Sequence, residues 1–117
     1  MANATRFVVL EHDHPTLHWD LMLEFGAVLR TWRLTAPPSN GTMLAEAIAD
    51  HRLAYLTYEG PVSGGRGAVK RWDAGVYRLV SQAEDKVELE VEGAEVCGHV
   101  SMLASDRNCW VVTWTLV

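Results

Sequence analysis

Cysteine is scarce in this chain. Cys97 and Cys109 are its only two, too few for the multi-bridge framework of small secreted domains, which predicts reduced thiols and a cytoplasmic protein. Long apolar runs are missing as well. No stretch approaches the roughly 20 residues that cross a bilayer, and the opening Met-Ala-Asn-Ala-Thr-Arg-Phe lacks the layout of a secretory leader, so no membrane partner is expected. Surplus positive charge is absent too: 15 acidic against 10 basic side chains leave a formal net charge of -5, which excludes a general nucleic-acid coat protein. That excess is local, since six acids (Glu84, Asp85, Glu88, Glu90, Glu92, Glu95) crowd into one stretch beside Lys86 alone. Outside it nine acids balance nine bases, which leaves room for a site holding one phosphate or one strand end.

What is present reads as one globular domain over residues 1–117. The apolar share of 49% with 21% charged residues excludes a disordered tail, and a domain of this size buries roughly two-thirds of its unfolded surface without staples. Alternation with period two dominates. It runs through Leu17–Glu24 and Val28–Leu34, and further strands are expected at Phe7–Leu10, Ala68–Trp72, Val76–Val80, Val87–Val91, Val96–Leu103 and Trp110–Leu116. Asp73-Ala74-Gly75 and Glu92-Gly93 read as turns, and Pro37–Gly41 as a loop. The pattern predicts a mostly β fold, a small closed or partly open antiparallel barrel with little helix. Residues 42–49 stand apart, because Thr42 and the helix formers after it favour a short helix by propensity.

Chemistry-bearing residues concentrate early. Four of the five histidines lie before position 52. His12, His18 and Asp20 carry the spacing His-x5-His-x-Asp. On an extended strand, residues two apart project from one face about 6.6–6.8 Å apart, so His18 and Asp20 share a face while Leu17, Trp19, Leu21 and Leu23 take the other. The turn at Pro15 returns His12 toward them. Two imidazoles and a carboxylate suit a borderline divalent ion such as Mn²⁺, Fe²⁺ or Zn²⁺ with open positions for substrate. Residues near a turn also simply decorate surfaces, and spacing alone does not choose. His51 and Tyr55 form a second pair, able to protonate a leaving oxygen and to donate to a non-bridging one; the competing reading is a loop histidine and a half-buried tyrosine.

Arg6–Asp13 followed by Leu17-His18-Trp19-Asp20-Leu21 resembles the opening signature of the 3′-phosphoesterase domain of bacterial DNA ligase D. The resemblance continues through Gly26–Trp32, Asp50-His51 with Tyr55, Glu59-Gly60, Gly67–Tyr77, Gly98 and the strand around Trp110. It implies a small β-barrel-like domain that uses Mn²⁺ to process the 3′ ends of DNA or RNA, removing a terminal ribonucleoside and then the remaining 3′-phosphate. By the same resemblance His12, His18 and Asp20 match the metal ligands, and His51 and Tyr55 match the phosphate-contacting pair. It also implies a strand, not a helix, over Met43–Ile48, and this is the expectation adopted.

One departure bears on activity. The family that the chain resembles commonly places an arginine two residues beyond its metal-binding aspartate, and here that position is Met22. Losing a bidentate cation removes charge stabilisation where phosphoryl transfer needs it. Arg33 and Arg66 are the candidate replacements for contacting phosphate. The alternative is a non-catalytic metal-containing module that binds nucleic-acid ends or phosphorylated ligands, and a separate ligase or polymerase is a candidate partner in either case. Elsewhere, Trp19, Trp32, Trp72, Trp110 and Trp114 are expected in the core rather than as a platform for bases, His99 on a strand surface, His14 in a solvent-facing turn, and both cysteines as half-buried thiols.

Overall fold

Nine strands and one short 3-10 turn (Leu53–Leu56) make up the regular structure of the computed structural model, which describes residues 5–117; the first four residues of the expected domain lie outside the described residues. The strands are β1 (Thr5–His12), β2 (His18–Phe25), β3 (Val28–Leu34), β4 (Gly41–Arg52), β5 (Gly60–Pro61), β6 (Ala68–Ala83), β7 (Lys86–Gly93), β8 (Cys97–Asp106) and β9 (Cys109–Leu116). Their order is β1-β2-β3-β4-β9-β8-β7-β6, every pairing is antiparallel, and β6 pairs back onto β1. The result is a closed eight-stranded barrel, with β5 added alongside β6. Closure leaves no open edge in the ring. No helix among the described residues is long and apolar enough to cross a membrane.

Residues 42–49 lie in β4, as the family resemblance implies and against local propensity. Ala45 is buried, with Met43 and Ala47 packed beside it, while Leu44 and Glu46 face solvent. Packing of the alternate side chains against the barrel interior outweighs intrinsic preference here. Trp32, Trp110 and Trp114 are buried in that interior and Trp19 and Trp72 pack against it, which settles the tryptophans as core. Leu17 departs from its expected place beside Trp19: it is exposed, in the turn before β2. Cys97 and Cys109 are free, and Cys97 is exposed rather than half-buried.

A larger correction concerns residues 73–75. They do not separate two strands; they run inside the 16-residue β6. Asp73 is buried, and its carboxylate accepts hydrogen bonds from the backbone N–H groups of Ala74 (2.8 Å), Ala94 (2.8 Å) and Val96 (3.0 Å). The tight turn between β7 and β8 thus has its donors satisfied from a neighbouring strand. Asp-Ala-Gly has the composition of a turn, but its aspartate serves a turn elsewhere.

His99 is half-buried on β8 between two carboxylates of β7, with Nε2 2.7 Å from Glu88 and Nδ1 3.4 Å from Glu90. The Glu88 bond raises the His99 pKa above its ordinary 6.5 against the opposing effect of burial, and Glu90 adds to the rise. Burial alone pushes the Glu88 carboxyl up, but bonds from Ser101 and His99 together bring it below its ordinary 4.5. A raised histidine stabilises the fold fully below its unfolded pKa and loses that contribution as pH climbs through the folded value; a lowered carboxylate contributes above its unfolded pKa. His99→Gln is therefore expected to lower stability most between the ordinary carboxylate and histidine pKa values, about pH 5 to pH 6, and progressively less as pH rises beyond them, by under about 1 kcal/mol for a pair on the barrel surface. Urea unfolding of both proteins across this range checks the sign.

Candidate functional site

Alternation gives the β1–β2 wall two buried faces. Phe7, Val9, Leu21 and Leu23 point into the barrel. Val8, Leu10 and Met22 point outward, into a smaller cluster with Leu29, Leu56 and Val69 under the segment that carries the 3-10 turn and β5. His12, His18 and Asp20 continue this outward set where the wall meets the roof, so the candidate site lies outside the barrel, against its flank.

Pairing in register brings the three together. His12 and His18 stand opposite one another across β1 and β2, with ring centroids 4.9 Å apart and edge to face. Asp20 follows His18 by two residues, and its Oδ2 lies 3.3 Å from His18 Nε2 and 3.9 Å from His12 Nδ1. One ligand atom from each residue falls within 4.8 Å of the others. The remaining ring nitrogens are engaged: His18 Nδ1 is 2.8 Å from the Thr16 carbonyl, and His12 Nε2 is 2.8 Å from the Arg66 carbonyl. A carbonyl only accepts, so both engaged nitrogens carry the hydrogen, and in the neutral rings the nitrogens facing Asp20 present lone pairs.

The electrostatics follow from that tautomer. His18 Nε2 and Asp20 Oδ1 are buried with no hydrogen-bond partner. Two imidazole lone pairs converging on a carboxylate repel one another, and such atoms are costly to bury unpaired. A divalent cation bound by all three removes the conflict at once, and carbonyl-oriented imidazoles are the usual support of a metal-ligating histidine. The donor set of two nitrogens and one carboxylate fits a borderline divalent ion.

A cavity of about 320 Å³ opens beside this cluster, and His12, Asp20, Met22, Arg33, His51, Tyr55 and Arg66 all contribute to its wall. His51 reaches it through a register shift between β3 and β4: Thr31 pairs with Ile48 but Leu29 with His51, so β4 holds one extra residue. That bulge re-aims the strand. His51 Nδ1 lies 2.9 Å from the Ala49 carbonyl and 3.0 Å from Thr31 Oγ1, whose own hydrogen goes to the Leu29 carbonyl at 3.0 Å. Nδ1 is thus the donor, and Nε2 is left for another partner. The Tyr55 ring stands edge to face with His51 at 5.6 Å.

The two arginines differ. Arg33 is opposite Asp20 across β2 and β3; its Nε is buried without a partner, and Nη1 is 3.8 Å from Glu46 Oε1. Arg66 turns its guanidinium onto its own loop, donating from Nε to the Ser63 carbonyl (2.7 Å) and from Nη2 to Ser63 Oγ (3.1 Å), while its backbone serves His12. Met22 is buried, and His14 is half-buried with its ring 6.5 Å from that of His12, outside the ligand cluster. Sequence reasoning missed Thr31, Glu46 and Asp13, none of which stands at a metal-ligand spacing; Asp13, inside the dense Glu11–His14 run, was the one with a visible signal.

Residues 10–104 match the family model described as DNA Ligase D 3′-phosphoesterase domain. A protein of Mycobacterium tuberculosis named multifunctional non-homologous end joining DNA repair protein LigD is 30% identical over 115 residues, covering 90% of this chain and 15% of that protein. The corresponding protein of Pseudomonas aeruginosa is 26% identical over 123 residues, covering 96% of this chain and 15% of the relative. That of Mycolicibacterium smegmatis is 34% identical over 129 residues, covering 93% and 16%. The chain thus spans about 15% of the length of these relatives.

Asp13 ties the roof to the site. Its Oδ1 accepts from the Ala68 N–H at 2.9 Å, and next to it Gly67 adopts φ +71, where a Cβ would run into the Asp13 carboxylate and lie 2.7 Å from His14 Cβ. Gly67→Ala is expected to lift the loop, withdraw the Arg66 carbonyl from His12 and weaken the affinity of the His12–His18–Asp20 cluster for an added divalent cation about 10- to 100-fold. Calorimetric titration with Mn²⁺ measures the loss, and an unchanged far-ultraviolet spectrum shows that the barrel persists.

Proposed function

The chain belongs to the DNA ligase D 3′-phosphoesterase domain family, and on that footing we propose that it is a metal-dependent phosphoesterase, a single domain over 1–117 that removes a 3′-ribonucleoside or 3′-phosphate from DNA or RNA in the cytoplasm. A ligase or polymerase acting on the same end is the partner this reading implies. The observation that carries it is the meeting of an unsatisfied His12–His18–Asp20 cluster with His51, Tyr55 and Arg33 around one cavity.

His12, His18 and Asp20 would hold Mn²⁺ or another divalent transition metal, which when bound supplies the charge that polarises a phosphoryl oxygen toward attack by water. Arg33 offers its guanidinium to the same phosphate, with Glu46 steadying it. Arg66 can add a second cation on leaving Ser63. His51, its Nδ1–H anchored on Ala49 and Thr31, carries a proton on Nε2 to the leaving oxygen. The Tyr55 hydroxyl donates to a non-bridging oxygen. Ile48, Val62 and Val69 supply an apolar part of the cavity wall.

A second reading rests on Met22, a buried thioether at the position where the family resemblance implies a phosphate-contacting arginine. In that reading the protein binds a phosphorylated end through the metal and does not turn it over.

Metal-loaded protein is expected to release inorganic phosphate from a 3′-phosphate-terminated primer, and His51→Ala to slow release about 10²- to 10⁴-fold at unchanged Mn²⁺ affinity. Metal-dependent binding of the primer without release would select the second reading. Met22→Arg is expected to raise kcat/KM while costing about 1–3 kcal/mol of stability in the outer cluster; steady-state kinetics and thermal unfolding of the variant check both.

A further inference from the structure

A second cavity, of about 240 Å³, shares Tyr55 and Val62 with the first and is otherwise walled mainly by Arg52, Tyr58, Pro61 and Ser63. Three rings link the two spaces: His51 meets Tyr55 edge to face at 5.6 Å, and Tyr55 meets Tyr58 edge to face at 5.8 Å. The Tyr58 hydroxyl donates to the Pro61 carbonyl, which holds the outermost ring in place. Tyr58 nevertheless remains 38% exposed, and it belongs to neither apolar cluster.

Size and lining decide what fits. The volume is below the roughly 300–1,000 Å³ of pockets for drug-sized ligands, so the cavity takes a ring system rather than a whole nucleotide. Its lining has two phenol rings, one guanidinium and one hydroxyl, and no carboxylate. Aromatic faces stack on any base, and a planar guanidinium stacks or donates to acceptors on a base edge. A purely apolar ligand would leave Arg52 and Ser63 unused; a bare anion would engage hydroxyls and the guanidinium but leave the ring faces uncovered.

We propose that this second cavity is a nucleobase subsite, which receives the base of the 3′-terminal nucleotide while that nucleotide's phosphate lies between Arg33 and His51. The inference rests on the phosphoesterase-family reading of the first cavity and adds the element by which the protein senses a base next to the phosphate. Tyr58 and Arg52 are binding residues in it, and Tyr55 is the partition that touches both groups.

The test uses the Mn²⁺-loaded full chain and two primers ending in a 3′-phosphate, one with 2-aminopurine as the terminal base and one with an abasic terminal sugar. Binding is read from 2-aminopurine fluorescence and from competition by the abasic primer, so a protein that binds without hydrolysing still reports. The wild type is expected to quench the fluorophore and to prefer the base-bearing primer by at least about fivefold, the low end of single-base stacking. Tyr58→Ala should abolish quenching and the preference for the base-bearing primer together, and Tyr58→Phe should keep most of both. Equal affinity for the two primers in the wild type, or quenching that survives in Tyr58→Ala, would overturn the subsite. Absence of phosphate release with Tyr58-dependent quenching would instead remove the catalytic reading and leave the subsite standing.

Discussion

A strand pair apolar on both sides sets the rest of this structure in place. Phe7, Val8, Val9 and Leu10 are all buried to within 1%, so β1 lies between two apolar layers, the barrel interior and the smaller outer cluster. That is the reason this strand reads as a continuous apolar run where others alternate. With both faces occupied, a one-residue slip in register would move polar atoms into one layer or the other, and register is correspondingly well specified. The His12–His18 pairing and the position of Asp20 are consequences of that register rather than independent features.

The site then concentrates unfavourable electrostatics in a confined place. Backbone carbonyls of Thr16 and Arg66 hold two imidazoles in the tautomers that turn bare nitrogens on a buried carboxylate. An arrangement of this kind is held by the surrounding fold, since the wall and the docked loop position the groups whether or not they attract. The opposite side of the ring has the contrary character. β7 and β8 lie across the barrel from β3 and β2, and Glu88 and Glu90 project from that side toward His99. That pair of carboxylates thus lies on the far side of the ring from the cavity.

Much of this was legible in the residues, for physical reasons that differ from element to element. Period-two alternation exposes the strands of a barrel directly, and it put His18 and Asp20 on the face away from Trp19, Leu21 and Leu23. Tertiary packing was not legible in residues 42–49, where propensity favours a helix and only resemblance to a family pointed to β4. The span 73–75 misled because Asp73 has the chemistry of a turn and uses it on the β7–β8 turn, some twenty residues further along the chain. His51 was identified as a candidate, but its entry to the cavity depends on a bulge that no residue pattern announces. Arg66 illustrates the converse: its side chain drew notice as a cation, whereas its main-chain oxygen is the group that touches the cluster.

Because the cavity is built against the outside of a closed ring, the interior that stabilises the fold and the surface that meets a ligand share only one layer of backbone. The roof from Leu53 to Val69 is chiefly turn and loop, secured to the wall at a few points such as Asp13 to Ala68 and His12 to Arg66. Insertions, deletions and exchanges in that segment can reshape what is admitted while the tryptophan-filled interior is left untouched. A lineage built on this plan can diversify in preference without renegotiating its fold, much as an awning is replaced without disturbing the wall that carries it.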